Sequence, residues 1–166
     1  SVQYFVAMTD RAHMPAAGAI PNLLCYDELV EAEDGNFVWP EFDENTASSI
    51  CYTSGTTGHP KGAVYSHRST VLHAYACCMA DAVGVTGRDS VLAVVPMFHA
   101  NAWGLPYNAP MVGTKLVFPG PKMGDPATLV ALMNEEGVTM AAGVPTVWTL
   151  LLNYLDQSGV KLKTLP

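Results

Sequence analysis

The chain has 166 residues, of which 49% are hydrophobic and only 14% are charged, and its formal net charge is −7. This length suffices for one ordinary domain with its own core. The acidic balance argues against nucleic acid as the main partner, because phosphate backbones are bound by basic stripes. The charged fraction lies below the roughly 25% that is typical of soluble domains, which indicates a chain surrounded by further protein.

The cysteines and the apolar stretches exclude several other classes. Four cysteines, at positions 25, 51, 77 and 78, lack metal-site spacing, and we interpret them as reduced thiols of a cytoplasmic protein. The N-terminal stretch has no basic segment followed by an apolar run, so no signal peptide is predicted. Residues 90–114 carry no charge, but prolines, glycines and asparagines interrupt them, which argues against a membrane-spanning helix.

In chain order, the first half is predicted to hold short elements. We predict a strand at residues 2–7, a loop at 9–22 and one or two helical turns at 26–32. Two further strands are predicted at residues 49–52 and 63–65. Ser66 is predicted to cap a helix that runs to about residue 83. Helical spacing places four of its apolar residues on one face: Leu72, Tyr75, Ala76 and Met79.

The second half alternates strands and helices. The predicted elements are strands at 90–95, 115–118 and 138–142 and helices at 103–111, 125–137 and 144–157. Asp125 and Pro126 form an N-cap and a first-position proline, and Pro145 lies in the first turn of the last helix. Alternation of apolar strands with helices predicts an α/β fold, in which a mostly parallel sheet carries helices on both faces.

One stretch, YTSGTTGHPKG at residues 52–62, cannot contribute to a core. Its glycines allow backbone N–H groups to approach a ligand closely, its hydroxyls add donors, and Lys61 adds a charge. A polyphosphate is the ligand that suits such a surface best. The stretch is not a Walker A loop, because Pro60 stands where that pattern needs glycine. The alternative is an ordinary surface turn.

This stretch resembles the phosphate-loop signature of the adenylate-forming superfamily, which contains acyl-CoA synthetases. Downstream, VPMFHANAWGLPYNA resembles the second core motif of acyl-CoA synthetases, and AAGVPTVWTLLLNYL resembles their acyl-pocket strand and helix. The resemblance is nearest to the medium- and long-chain fatty acyl-CoA ligases. It implies an enzyme that uses ATP and Mg²⁺ to convert a carboxylic acid to an acyl-adenylate and then transfers the acyl group to CoA.

The resemblance also implies roles for individual residues. The β- and γ-phosphates of ATP would be wrapped by Thr53, Ser54, Gly55, Thr56, Thr57, Gly58 and Lys61. The Thr53 hydroxyl would lie near Mg²⁺, and Lys61 and His99 would be catalytic. The acyl pocket or its gate would be formed by His99, Trp103, Val144, Pro145 and Thr146. Members that activate amino acids carry Asp at the place of His99, so we expect an acid without an α-amino group.

The sequence departs from the family by what it lacks, since no segment resembles those that hold adenine, ribose and the adenylation lysine. We therefore expect residues 1–166 to be one incomplete segment of the large N-terminal domain, without the C-terminal domain and inactive alone. Residues 1–42 would be a weakly matched lead-in, and residues 43–166 would carry the three motifs. An exposed sheet edge is expected to give self-association or a homodimer.

Three other functions stay open at this point. The chain could be a stand-alone module that binds polyphosphate or a nucleotide without catalysis. It could have a structural or assembly role with a vestigial loop. Luciferase-like and aryl-acid ligases share the phosphate loop and form the third possibility.

Overall fold

The structure is a computed structural model that describes residues 2–54 and 58–163. The chain divides into two compact units, Ser1–Glu41 and Phe42–Pro166. Within the described ranges, no helix combines the length and the apolar composition that crossing a bilayer requires.

The first unit is small. Strand β1 (Phe5–Ala7) pairs in parallel with β2 (Leu23–Cys25), and helix α1 (Tyr26–Glu31) follows directly. A 3-10 helix at Arg11–His13 interrupts the predicted loop. The buried Cys25 thiol donates a hydrogen bond to the Thr9 carbonyl at 3.1 Å, which ties β2 to the loop.

The second unit contains the remaining elements. Its strands are β3 (Ala47–Thr53), β4 (Lys61–Ser66), β5 (Ser90–Ala93), β6 (Lys115–Val117) and β7 (Met140–Ala142). Its α-helices are α2 (His67–Cys78), α3 (Leu105–Val112), α4 (Pro126–Glu135) and α5 (Pro145–Ser158). Strands β3 and β4 form an antiparallel hairpin, and β6, β5 and β7 form a parallel sheet with β5 at its centre.

The central strand β5 supplies the core on both faces of this sheet. Leu92 and Val94 pack in one cluster with Leu129 of α4 and Leu151 of α5. Val91, Ala93 and Val95 pack in a second cluster with Ala102 and Leu105, the first residue of α3. Because side chains alternate along a strand, the helices cover both faces, which confirms the predicted α/β class.

The predicted helix starts are confirmed. Asp125 caps α4 and accepts a hydrogen bond from the Thr128 amide at 3.1 Å, and Pro126 is the first residue of the helix. Ser66 caps α2 in a capping box, in which its hydroxyl accepts from the Ser69 amide at 3.1 Å and its own amide donates to the Ser69 hydroxyl at 3.0 Å.

The predicted end of α2 is wrong, and the face that was picked out by helical spacing is exposed. The helix ends at Cys78 rather than near residue 83, because the Val85 amide bonds to the Cys77 carbonyl at 3.3 Å and turns the chain back. The buried residues of α2 are Ala74 and Cys77, whereas the larger side chains of the predicted face are exposed. Small side chains on the inner face allow α2 to approach the chain around Gly104 closely.

Candidate functional site

The polar loop at residues 54–60 joins the two strands of the β3–β4 hairpin. The register of the hairpin places Thr53 directly opposite Lys61. Residues directly opposite each other in an antiparallel pair point to the same face, with Cβ atoms about 4.5–5.5 Å apart. The Thr53 hydroxyl and the Lys61 ammonium therefore lie on one side of the mouth of the loop, and both residues are exposed.

The structure describes part of the predicted phosphate-binding set within this loop. Ser54 and Gly58 are exposed, and Gly58 has a φ of 83°, a left-handed conformation that favours glycine. Gly55, Thr56 and Thr57 lie outside the described residues.

His99 lies in the loop that follows β5, at the carboxyl edge of the parallel sheet. Its amide donates to the Pro96 carbonyl at 3.1 Å, and its side chain is exposed. The Val94 amide donates to the Ala142 carbonyl at 2.9 Å, so the chain segments that leave β5 and β7 begin side by side. The carboxyl edge is where open α/β sheets bind ligands.

A left-handed turn follows His99. Four residues that are not glycine have positive φ, namely Ala100 (46°), Asn101 (49°), Ala102 (47°) and Trp103 (57°), and Gly104 follows at 82°. Each L-residue in this conformation costs about 1–2 kcal/mol, so surrounding contacts must hold the turn. Ala102 is completely buried, and the Trp103 carbonyl accepts a long hydrogen bond from the Cys77 thiol at 3.9 Å.

Asn101 ties this turn to the strand that leads into the polar loop. Its Nδ2 donates to the Ser49 hydroxyl at 3.0 Å, and its Oδ1 accepts from the Cys51 thiol at 3.4 Å. Both partners are on β3, which ends at Thr53. A single amide side chain therefore links the loop that follows β5 to the strand that leads into the polar loop.

Trp103 lines two cavities. The larger, of about 450 Å³, lies between the turn, α2 and β4, and its other lining residues include Tyr65, His73, Asn101 and Tyr107. The smaller, of about 260 Å³, lies between the turn, α3 and β7. The side chain of Trp103 is 49% exposed, and it stands at the border of both cavities.

The other predicted acyl-pocket residues lie on the surface at the same edge of the sheet. Val144 is the N-cap of α5, and Pro145 and Thr146 form its first turn. All three are exposed, and neither they nor His99 lines the two cavities beside Trp103. The structure thus brings His99 and the start of α5 to one edge, while Trp103 alone of this set reaches the cavities.

The cavities beside Trp103 differ in charge from the amino edge of the parallel sheet. None of the described residues that line the two cavities is acidic. At the opposite, amino edge, the Thr86 and Thr139 hydroxyls donate to Asp89 at 2.7 and 2.8 Å. These hydrogen bonds, with that from the Thr86 amide, hold the pKa of Asp89 below its ordinary value.

Comparison with known proteins identifies the family. The family model described as AMP-binding enzyme matches residues 9–165. The chain belongs to the AMP-binding enzyme family.

Relatives of this AMP-binding chain include two bacterial ligases. It is 54% identical to the 3-methylmercaptopropionyl-CoA ligase of Ruegeria lacuscaerulensis over 99% of this chain and 30% of the relative. It is 51% identical to the medium-chain-fatty-acid–CoA ligase of Ectopseudomonas oleovorans, with the same coverage of 99% and 30%. The chain therefore spans about 30% of the length of these curated relatives.

A solved structure supports the fold of this family member. The inhibitor-bound N-terminal domain of FACL13 from Mycobacterium tuberculosis superposes with a TM-score of 0.70 at 28% identity. The superposition covers 90% of this chain and 38% of that domain.

Sequence reasoning missed several residues that surround Trp103 in this AMP-binding chain. The sequence assigns no functional role to His73, but it lines the larger cavity together with Tyr107. Asn101 received no role, although asparagine before Ala-Trp-Gly is a residue type that tolerates left-handed backbone. That preference was the available signal, whereas the cavity position of His73 depends on tertiary packing.

Proposed function

We propose that the chain is a segment of an ATP-dependent acyl-CoA ligase. The parent protein would activate a fatty acid, or a similar acid without an amino group, as an acyl-adenylate and transfer the acyl group to CoA. The observation that carries the proposal is the hairpin loop, with Thr53 and Lys61 opposite each other at its mouth. Relatives named as medium-chain and long-chain fatty-acid–CoA ligases support the same assignment.

In the first half-reaction, a carboxylate oxygen attacks the α-phosphorus of ATP, the bond to the bridging oxygen breaks, and pyrophosphate leaves. The proposed role of Lys61 and of the loop residues 53–58 is to hold the β- and γ-phosphates and to neutralise the charge that develops there. In the second half-reaction, the CoA sulfur attacks the acyl carbon and AMP leaves.

The residues at the loop mouth fit a magnesium ion that is bound mainly through the nucleotide. Among residues 2–54 and 58–163, no group of three or more His, Cys, Asp or Glu side chains is placed to hold a metal. Mg²⁺ prefers oxygen ligands and retains water and phosphate oxygens readily. Thr53 is the residue that we propose near it, as a hydroxyl ligand or a partner of a bound water.

The acid-binding end of the site is proposed at the carboxyl edge of the sheet. His99 would lie near the reacting carboxylate, and Trp103, Val144, Pro145 and Thr146 would form the gate and wall of the acyl pocket. The described residues that line the cavities beside Trp103 include no carboxylate to pair with a substrate ammonium. This absence favours acids without an α-amino group.

The domain assignment extends this proposal. We place residues 43–166 in the large nucleotide-binding domain of the ligase and residues 1–42 in a lead-in to it, so that activity requires the parent protein. All four cysteines are free thiols, which suits a reducing cytoplasm. The relatives favour a ligase segment over a stand-alone phosphate-binding module, because those matched here are themselves acyl-CoA ligases.

Lys61→Ala in the full-length protein tests the proposal. Loss of the ammonium should lower ATP–pyrophosphate exchange with fatty acids by about 10²–10³-fold, the range for removal of one preorganised donor. The assay should include amino acids, which we expect to be poor substrates.

Lys161→Ala removes another exposed lysine and serves as the matched control, which should retain exchange. Retained exchange in Lys61→Ala would contradict the role of the loop. A preference for amino acids in the unmodified protein would contradict the proposed substrate class.

A further inference from the structure

The left-handed turn after His99 lies against one face of the β3–β4 hairpin. Asn101 makes the contact, because its amide bonds to the Ser49 hydroxyl at 3.0 Å and to the Cys51 thiol at 3.4 Å. Side chains alternate along a strand, so those of Ser49, Cys51 and Thr53 point to the same face of β3. The turn therefore contacts the face of the hairpin that presents Thr53 at the mouth of the polar loop.

The register of the hairpin places Lys61 on this face as well. Lys61 is opposite Thr53, and the preceding pair on the same face is Cys51 with Ala63. Successive residues on one face of a strand are about 7 Å apart, so Thr53 and Lys61 lie one such step beyond the cysteine that bonds to Asn101. The side chains proposed to hold the phosphates of ATP and the turn after His99 are thus on one side of the hairpin.

Asn101 lies in a backbone conformation that needs support from its surroundings. Its φ is 49°, and its neighbours Ala100, Ala102 and Trp103 share the left-handed conformation. Such strain persists only where surrounding contacts over-determine the backbone, and it clusters at functional sites. Both polar atoms of the Asn101 side chain are bonded to β3, so the amide cannot rotate without losing a bond. The amide thereby fixes the turn, with His99 and Trp103 two residues away on either side, relative to β3.

We propose that Asn101 is a positioning residue that fixes the acid-binding turn relative to the phosphate loop. This inference rests on the proposed acyl-CoA ligase function. In the first half-reaction, a carboxylate at the His99 edge must meet the α-phosphorus of an ATP whose β- and γ-phosphates are held by the loop. Different segments of the chain would bind the two reactants, and the Asn101 amide bonds these segments to each other. A displacement of about 1 Å between reacting groups can lower the rate by about 10²-fold.

Asn101→Gly in the full-length protein tests this role. The change removes the amide and keeps the left-handed backbone, because glycine adopts positive φ without strain. The measurements are kcat and KM in ATP–pyrophosphate exchange with a fatty acid, and the Kd of MgATP without acid. We expect kcat to fall by at least about tenfold, while the Kd of MgATP and the KM of the acid change by less than about threefold. Loss of stability alone would not give this split, since kcat for each folded molecule would be unchanged.

Three further variants complete the design. Ser49→Ala removes the hydroxyl that accepts from Asn101 and leaves the turn itself unmodified, so it should lower kcat in the same way. Ser48→Ala is its matched control, because the Ser48 hydroxyl bonds instead to the Tyr65 carbonyl at 3.1 Å. Asn22→Gly is the control for the glycine, since Asn22 also has a positive φ, of 53°. Both controls should retain kcat.

The possible results separate the two proposals. An unchanged kcat in Asn101→Gly would show that the asparagine serves only the backbone of the turn, which overturns the inference and leaves the ligase proposal intact. Equal losses in Asn101→Gly and Asn22→Gly, or a raised KM for one substrate at unchanged kcat, would also overturn it. If Asn101→Gly does not fold, Ser49→Ala decides by the same measurements. An unmodified protein that catalyses no exchange would overturn the ligase proposal, and the inference with it.

Discussion

Gly104 shows how a single residue fixes the turn that carries Trp103. Its φ is 82°, and a Cβ atom placed there would lie 2.8 Å from Nδ1 of His73. Alanine would therefore meet both an unfavourable backbone conformation and a steric conflict with α2. Such a position accepts no side chain without a shift of the turn or of the histidine ring.

Gly104→Ala should lower the free energy of unfolding by about 1–3 kcal/mol. Gly124→Ala is the matched control, because a Cβ there meets no atom within 4 Å and its backbone is not left-handed. Urea denaturation of both variants measures the difference. Equal stability of the two variants would show that the turn adapts to a side chain.

The sequence predicts the loop that carries His99, but it wrongly begins the next helix at Trp103, which lies in the left-handed turn before α3. A buried strand followed by Pro96 and polar residues places His99 in a loop at the sheet edge, and the structure agrees. The left-handed run from Ala100 to Trp103 has no local signal beyond Asn101 and Gly104. Alanine and tryptophan adopt this conformation because contacts with β3 and α2 hold it. Those contacts cannot be predicted from the neighbouring residues in the sequence.

At the scale of elements, Asp89 connects the turn before β5 with the residue before β7. It accepts hydrogen bonds from Thr86 and from Thr139, which are 53 residues apart in the chain. These bonds lower its pKa below the ordinary 3.8. Since the charged form is favoured in the folded state, the stabilisation is complete above the ordinary pKa and is lost as pH falls through the folded pKa.

Asp89→Asn should therefore lower the free energy of unfolding at neutral pH. The difference in free energy of unfolding between this variant and the unmodified protein should shrink below about pH 4. Urea midpoints measured from pH 7 to pH 3 provide the comparison. Asp156→Asn, on the exposed side of α5, is the control. A difference that stayed constant down to pH 3 would exclude a contribution from the Asp89 charge.

Helix caps were the elements that sequence predicted best, and the end of α2 was predicted worst. Ser66 and Asp125 act through bonds to residues three positions away, so their local sequence is sufficient. The end of α2 depends on a bond between Val85 and Cys77, which forms only when the chain turns back onto the helix. Helical spacing places Leu72 and Tyr75 on one face of α2 but does not tell which face is buried, and the buried residues are Ala74 and Cys77.

For the whole molecule, the alternation of strands and helices was enough to predict a parallel sheet with two covered faces. The antiparallel orientation of the β3–β4 hairpin was not derivable in this way, because pairing between strands depends on contacts distant in sequence. The outer face of α2 carries three exposed apolar side chains, Val71, Leu72 and Tyr75, and Met79 is exposed directly after the helix. Such a patch favours association.

We expect the isolated chain to self-associate through this outer face of α2. Leu72→Glu should shift the protein towards monomer in light scattering at high concentration, because a carboxylate would be desolvated in the contact. Asn153→Glu adds the same charge on α5 and should leave association unchanged. If the unmodified chain is already a monomer, or if both substitutions change its association equally, the outer face of α2 is not the contact.

The bond network of Asn101 has a consequence for building chimeric enzymes. The histidine motif and the strand before the phosphate loop are more than 45 residues apart, yet Ser49, Cys51 and Asn101 form one interlocking set. Transplanting either motif alone into a relative would leave an amide or a hydroxyl facing a foreign neighbour, and the effects of separate exchanges would not add. The segment around Asn101 and the strand with Ser49 and Cys51 should therefore be exchanged together. A recombination site between them would separate residues that bond to each other in the fold.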